Sequence, residues 1–314
     1  MDNFIFSLNA TVPIFIIILL GYILRQKNLV NENFVNIGNK IGYIIFLPAL
    51  LFKDISGADI KGEFNVKFLI FCMGATVISI AVIWILSEIF IKDKKIIGSF
   101  VQGSFRGSAA VLGIAFVENM YGDSGMAPMM VLGAVPLYNV FSVIILTIKS
   151  ENSIGNDNLF KKSFINILKN PIIWGIVVGL TFSVLEIKLP TMINKAVNSV
   201  ASLATPFALI ILGAGFEGKK ALAKIKPTIV ATALKLFIIP AVFIPIAMYM
   251  GFRNQEMIAI LIMLGAPSTV SCYVMAKNLG NDDVLASSIV VASTFLSSFS
   301  ITMWIFILKT MGYL

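Results

Sequence analysis

The 314-residue chain contains no histidine, only two cysteines and few charged residues. The absence of histidine excludes imidazole metal ligands and histidine proton relays. Charged residues make up 13% of the chain and hydrophobic residues 58%, against about 25% and about 45–50% in ordinary soluble domains. A water-soluble fold is therefore excluded. Cys72 and Cys272 each lie in an apolar run and are interpreted as thiols buried in the membrane, not as a disulfide.

The net charge of +8 does not indicate nucleic acid as a partner, because lysine and arginine occur in short clusters between long uncharged runs. We expect a lipid bilayer around the chain instead. Eight uncharged runs are each about long enough to cross it as a helix, and two further runs contain Lys40 or Arg106. The ten predicted spans are residues 3–24, 34–52, 68–87, 98–117, 124–148, 170–185, 196–216, 236–252, 257–276 and 284–308.

The loops on the two sides of the membrane differ in positive charge. Those after the odd-numbered spans hold fourteen lysine and arginine residues, and those on the opposite side hold about seven. Because positive residues favour the cytoplasm, both termini are predicted to be extracellular and the long loop between spans 5 and 6 to be cytoplasmic. This loop, residues 151–166, is predicted to link two units, residues 1–150 and 167–314.

The two units are related by a shift of 158 residues, which also aligns the order of their apolar runs. Because each unit has five spans, the second copy must have the opposite orientation in the membrane. Inverted repeats of this kind are typical of secondary transporters, which need two half-structures that exchange roles. The positions that coincide include Gly21 with Gly179, Pro48 with Pro206, Gly57 with Gly215 and Gly107 with Gly265.

Spans 4 and 9 are predicted to be interrupted near the middle of the membrane. Span 4 contains Gly103, Gly107 and Gly113, and span 9 contains Gly265 and Pro267. Glycine weakens a helix by about 1 kcal/mol and proline by about 3 kcal/mol. Backbone groups freed by unwinding cannot face lipid, so they face protein or a wet cavity, where the N-termini of half-helices favour an anion. The alternative is that these small residues only let helices pack closely.

The predicted substrate site combines the two interruptions with the polar residues beside them. Arg106 would bind a carboxylate through its planar guanidinium, unless it forms a salt bridge to Glu118 or reaches the interface. Asn139 needs partners in an apolar run, either at the backbone of span 4 or on the substrate. Lys235 and Lys53 are interpreted as side chains that snorkel to water. The residues predicted to bind substrate are Arg106, Gly107, Ser108, Asn139, Pro267, Ser268, Thr269 and Ser271, with Gly103, Gly113, Gly265, Pro48 and Pro206 as crossover or hinge positions.

Three segments resemble the auxin efflux carrier family, whose bacterial members include permeases for malate and other organic acids. They are PSTVSCYVMAKNLGNDDVLASSIVVAST from Pro267 to Thr294, GYIIFLPALLFKDIS around Pro48, and GIAFVENMYGD from Gly113 to Asp123. The resemblance implies an all-α membrane protein of ten helices in two inverted five-helix repeats. It further implies that helices 1, 2, 6 and 7 form a scaffold, often dimeric, and that the other six form a moving transport domain with crossed, broken helices 4 and 9.

The chain departs from the plant members, which have Pro-Asn at the crossover in helix 4 where this sequence has Gly107 and Ser108. We therefore expect a carrier for a small organic anion, a dicarboxylate such as malate before auxin. An enzyme is not expected, because the sequence has no nucleophile–base pair with histidine and no Walker-type loop. The alternatives are an exporter of an auxin-like aromatic monocarboxylate, an anion channel and a transporter-like sensor. No cofactor or metal site is expected, and either sodium or a proton is the expected coupling ion.

Overall fold

The computed structural model describes residues 2–56, 65–122, 125–150, 165–185 and 187–314. Within these ranges the protein is helical, and its only β-type pairing is an isolated bridge between Gly107 and Ser268. Except for its last two residues, the predicted linker 151–166 lies outside the described residues. The helices are α1 (Asp2–Gln26), α2 (Glu32–Ser56), α3 (Val66–Phe90), α4 (Ile97–Phe105), α5 (Ala109–Tyr121), α6 (Ala127–Ile148), α7 (Pro171–Val184), α8 (Thr191–Gly215), α9 (Gly218–Ala223), α10 (Ile225–Tyr249), α11 (Asn254–Gly265), α12 (Ser271–Asn278) and α13 (Asp283–Thr310).

Six helices in the described part of the chain are long and apolar enough to cross a membrane, namely α2, α3, α6, α8, α10 and α13. Helices α7 and α11, and the segment Val12–Gln26 of α1, are apolar but shorter. The outward faces are apolar as well: Ile70, Ile85 and Ile89 of α3 are each more than half exposed. Contiguous exposed apolar surface of this kind suits contact with lipid. These features indicate a multi-pass membrane protein.

Side-chain caps begin several of the helices. Asn31, Asn65 and Asn170 each accept a hydrogen bond from a backbone N–H in the first turn of α2, α3 and α7. Asp282 does the same for α13. Each cap satisfies one of the N–H groups that a helix start leaves without a partner. At the other end of α5, Gly122 adopts the left-handed conformation (φ 86°) that favours glycine and terminates the helix.

Helices α2 and α10 each continue through a proline that follows a π-helical turn. The turn Gly42–Phe46 precedes Pro48, and the turn Leu234–Ile238 precedes Pro240. Proline lacks one helical N–H and crowds the carbonyl four residues earlier, and the wider π turn accommodates both effects. Helix α10 therefore runs from Ile225 to Tyr249. The predicted span 236–252 began too late, because the uncharged run starts only after Lys235, which is in fact buried within the helix.

Two pairs of helices pack at backbone contact through glycine. Helix α1 packs against α8 at Gly21, where a Cβ atom would collide with the carbonyl group of Ile210. Helix α2 packs against α7 at Gly179, where a Cβ atom would lie 3.3 Å from the Cα atom of Phe52. Ile210 and Phe52 are separated by the same 158 residues as Gly179 and Gly21. The two contacts are therefore equivalent under the shift that relates the two halves of the sequence.

The remaining helices surround two interrupted segments, each of which consists of two short helices. Helix α4 ends at Phe105 and α5 begins at Ala109, while α11 ends at Gly265 and α12 begins at Ser271. Helix α5 packs against α11 and α4 against α12, whereas α3 packs against α6 and α10 against α13. Both interruptions lie where the glycine and proline residues of the sequence predicted them. They bring four helix ends into the interior of the protein.

Candidate functional site

The two interruptions contact each other directly. Ser108 donates its backbone N–H to the Pro267 carbonyl (2.9 Å). The Ser268 hydroxyl donates to the Gly103 carbonyl (2.6 Å), and the Ser268 N–H donates to the hydroxyl oxygen of Ser293 on α13 (3.0 Å). Unwinding releases backbone groups that lipid cannot satisfy, and these contacts satisfy several of them inside the protein. We call this meeting of the two interruptions the crossing.

The crossing separates the helix ends by polarity. The starts of α5 and α12, with the residues just before them, line a cavity of about 90 Å³. The last carbonyl groups of α4 and α11 instead accept hydrogen bonds from Lys235 on α10. A helix carries about half a positive charge at its N-terminus and about half a negative charge at its C-terminus. The cavity is therefore lined by the two positive ends.

The cavity brings together all the residues that the sequence predicted for substrate binding. They come from three separate parts of the chain, the two interruptions and the middle of α6. That they bind a substrate stays a prediction. The predicted residues in the cavity lining are Arg106, Gly107, Ser108, Asn139, Pro267, Ser268, Thr269 and Ser271.

Arg106 is held at the cavity wall by uncharged groups. It is 5% exposed and follows the last residue of α4. Its guanidinium donates from one nitrogen to Oδ1 of Asn139 (2.6 Å) and from another to the sulfur of Met275. Among the described residues these are its partners, in place of the salt bridge to Glu118 that was one alternative. Because a guanidinium has five N–H donors, these contacts leave donors for a ligand in the cavity.

Lys235 is a second buried cation at the crossing, and the prediction that it snorkels to water is wrong. Its side chain is 0% exposed. Its Nζ atom donates to the carbonyl oxygens of Phe105 (3.1 Å), Met263 (3.3 Å) and Leu264 (2.8 Å). The three donors of the ammonium therefore all have acceptors. A lysine in a membrane helix usually reaches for interfacial water, but here the carbonyls released by two helix ends lie within reach.

The cavity also contains polar residues that the sequence did not indicate. Asp54 lies two residues beyond the predicted end of span 2, and α2 continues far enough to bring it to the cavity. Tyr138 lines the cavity and donates its hydroxyl to the Met263 carbonyl (3.0 Å). The only feature of the sequence that pointed to this tyrosine was the polar residue beside it, Asn139. Thr205 and Thr294 line the cavity as well. No signal identified these two, because threonine is common in membrane helices.

The predicted crossover or hinge positions lie within helices or at a helix end, not in the lining of the cavity. Gly103 and Gly113 lie inside α4 and α5, and Gly103 takes part in the crossing through its carbonyl. Gly265 is the last residue of α11. Pro48 and Pro206 lie inside helices that continue through them. None of the five lines the cavity in the described structure, and a hinge role for them stays a prediction.

Two polar recesses lie at opposite ends of α8. The first recess, of about 610 Å³, is formed by the ends of α2 and α7 and the start of α8, and it contains Lys53 and Lys188. The second recess, of about 370 Å³, is formed by the ends of α1, α8 and α12 and the start of α2. Asp54 and Ala110 line both the first recess and the cavity. Within the described residues, the second recess shares no lining residue with the cavity, so of these two recesses the cavity adjoins the first.

Comparison with known proteins gives consistent matches over nearly the whole chain. The model of a family described as membrane transport protein matches residues 6–305, which confirms the family resemblance of the three segments. The chain is 23% identical over 309 residues to an uncharacterized transporter of Methanothermobacter thermautotrophicus, covering 96% of this chain and 98% of the relative. It is 24% identical over 311 residues to the uncharacterized transporter MJ1031 of Methanocaldococcus jannaschii, with coverage of 96% and 98%. It is also 24% identical over 288 residues to the uncharacterized transporter YfdV of Escherichia coli, with coverage of 87% and 88%.

Proposed function

The chain belongs to the membrane transport protein family, and on this premise we propose that it is a secondary carrier that moves a small organic carboxylate across the cell membrane. The proposed substrate class is a dicarboxylate such as malate. The observation that carries the proposal is the crossing, where two positive helix ends and the Arg106 guanidinium line one cavity. Two helix ends supply about half a charge each, so a doubly charged anion needs a further cation, and Arg106 is in position to provide it.

We further propose that ten membrane-crossing units form two inverted repeats, with α4 and α5 as the fourth unit and α11 and α12 as the ninth. The equivalent glycine contacts at Gly21 and Gly179 support this arrangement. The packing of α3 on α6, repeated by α10 on α13, supports it as well. In this proposal α1, α2, α7 and α8 form the scaffold through which two copies associate, and the other helices form the transport domain.

The connection between the cavity and the first recess supports transport by alternating access. The cavity adjoins the first recess, which the charge distribution of the loops assigns to the extracellular side. At the second recess, Gly215 has no space for a Cβ atom because the hydroxyl of the buried Tyr273 packs against it. In the opposite state we expect the transport domain to move along the scaffold, so that the cavity adjoins the second recess instead.

Counterflow in proteoliposomes tests the carrier proposal. Liposomes that contain the purified protein and unlabelled malate should transiently accumulate labelled malate from outside, and the uptake should saturate and be inhibited by other dicarboxylates. Liposomes without protein are the control. Repeating the assay with and without sodium, and with an imposed pH gradient, identifies the coupling ion. Conductance without saturation would indicate a channel, binding without flux a sensor, and preference for an aromatic monocarboxylate an auxin-like carrier.

Cysteine labelling tests the proposed orientation. Cys72 and Cys272 are both buried and free, so a background that replaces them with alanine is suitable. In that background Lys161→Cys, in the predicted cytoplasmic linker, should react with an impermeant maleimide only after the cells are permeabilised. Lys188→Cys, in the first recess, should react in intact cells. The reverse pattern would overturn the assigned orientation.

A further inference from the structure

Lys235 holds together the C-terminal ends of both interrupted helices. One acceptor of its ammonium is the carbonyl of Phe105, the last residue of α4. The other two are the carbonyls of Met263 and Leu264 in the last turn of α11. Every hydrogen bond that the structure gives this ammonium thus goes to an uncharged backbone oxygen. The residue lies in the π-helical turn of α10, and π turns frequently mark functional sites.

The charge of Lys235 matches the charge of the helix ends that it contacts. Each C-terminus carries about half a negative charge, so the two ends together bring about one negative charge into the membrane interior. One ammonium balances that charge. In transporters with broken helices, half-helix C-termini and unwound carbonyls also form sites for monovalent cations. The surroundings of the Lys235 ammonium therefore have the chemistry of a cation site.

Lys235 also contacts the wall of the cavity from behind. A Cβ atom on Gly107 would lie 2.8 Å from Nζ of Lys235 and 3.2 Å from the Ala266 carbonyl oxygen. Gly107 lines the cavity, whereas Lys235 does not. The position of the ammonium is thus linked through one glycine to the backbone that forms the cavity.

We propose that Lys235 is a tethered counter-cation, whose ammonium occupies a carbonyl site that would otherwise take a free monovalent cation. By holding the two C-terminal ends together, it positions the crossing with its two N-terminal ends at the cavity. Lys235 is therefore a positioning residue, since its ammonium donates to the backbone and does not itself line the cavity. The cation site stands on these contacts alone, and only its effect on transport rests on the proposed function.

Two substitutions at this position distinguish a cation site from a residue needed only for packing. Lys235→Ala removes the atoms of a propylammonium ion and leaves the three carbonyls around the vacated space. Lys235→Met removes the charge but fills most of that space with an apolar chain. Both variants should have a lower melting temperature than the wild type. Lys226→Ala, an exposed lysine on the same helix, is the matched control.

Thermal melting of the purified variants in different chloride salts is the main test. Propylammonium or sodium should raise the melting temperature of Lys235→Ala. The melting temperature should keep rising as the ion concentration is increased above the dissociation constant of the ion. Choline at equal ionic strength should have no such effect. The wild type, Lys235→Met and Lys226→Ala should respond little to propylammonium and choline, and any response to sodium should be the same in all three. If Lys235→Ala does not fold in plain buffer, extraction in propylammonium should restore a monodisperse protein.

The proposal is overturned if the melting temperature of Lys235→Ala responds to these ions no more than that of Lys235→Met. It is also overturned if Lys235→Ala does not fold in plain buffer and propylammonium fails to restore folding.

Malate counterflow provides a second measurement. Uptake by Lys235→Ala should become dependent on sodium or propylammonium, by about tenfold or more, while wild-type uptake should not respond to propylammonium. If neither protein transports any organic anion but the melting response is present, the proposed function fails and the cation site stands.

Discussion

Arg106 and Lys235 are two buried cations at one crossing, but they are held in different ways. Arg106 donates to Asn139 and Met275, lines the cavity and keeps donors for a ligand. Lys235 donates to three backbone carbonyls and does not line the cavity. Burial of a positive charge is therefore not enough to identify a binding residue in a membrane. The donors that remain available at an opening are the better criterion.

The helix ends explain the difference between the two cations. Lys235 lies against two negative C-terminal ends, where a cation is stabilised. Arg106 follows the last residue of α4, but it lines the cavity together with the positive N-terminal ends of α5 and α12, where a cation is destabilised unless an anion is present. A bound carboxylate would relieve this repulsion. We therefore expect a structural cation at the negative ends and an anion-dependent cation at the positive ends.

The largest expected effect is on stability. Lys235→Met should lower the free energy of unfolding by about 3–5 kcal/mol, since it leaves three buried carbonyls and two helix ends without their cation. Arg106→Met should cost less, about 1–3 kcal/mol, because it removes two hydrogen bonds to uncharged groups. Thermal and denaturant unfolding of both purified variants measures the difference. Equal losses would break the distinction between the two cations.

The next largest effect concerns the charge of the substrate. Arg106→Gln should reduce kcat/KM for a dicarboxylate by about 10- to 100-fold, the equivalent of one charge-assisted hydrogen bond. A monocarboxylate analogue of the same length should lose much less, because only the dicarboxylate loses a partner for its second charge. Uptake of both compounds by the same proteoliposomes measures this. Equal loss for both, in a folded variant, would assign Arg106 to structure.

Asn139→Asp should make Arg106 resemble Lys235, as a cation whose charge is balanced by groups inside the protein. The new carboxylate would replace the Oδ1 atom that lies 2.6 Å from the guanidinium, and would neutralise it inside the protein. We expect dicarboxylate uptake to fall by about tenfold while the melting temperature stays the same or rises. Asn139→Leu, which removes the acceptor without adding charge, is the control. Unchanged uptake in Asn139→Asp would contradict a role for the Arg106 charge.

The smallest expected effect is at the mouth of the cavity. Asp54 is half-buried and adds a negative charge between the cavity and the first recess. Asp54→Asn should lower the KM for an anion by about two- to fivefold at low ionic strength, and high salt should reduce the difference. Lys53→Gln should change the KM in the opposite direction. No salt dependence in either variant would show that this mouth does not attract the substrate.

The membrane helices and the two interruptions could be predicted from the sequence because their causes are local. An apolar run of sufficient length, or a glycine or proline in such a run, acts through the residues next to it. Arg106 was found in the same way, since a cation in an apolar run is costly and conspicuous. Asp54 was missed because α2 extends beyond its apolar run.

The linker with Lys161 and Lys162 lies outside the described residues, and its cytoplasmic location stays a prediction.

The sequence by itself determined that this chain is a helical membrane transporter with helices interrupted near Gly107 and Pro267, because length, apolarity and backbone-breaking residues are properties of neighbouring positions. Only the tertiary structure decided the partners of the two buried cations. Lys235 reaches the Phe105 carbonyl across 130 residues of chain, and Arg106 reaches Asn139 across 33. Packing between distant helices therefore sets which cation is saturated by carbonyls and which one lines the cavity. No local pattern carries that information, because both residues are simply charges in apolar surroundings.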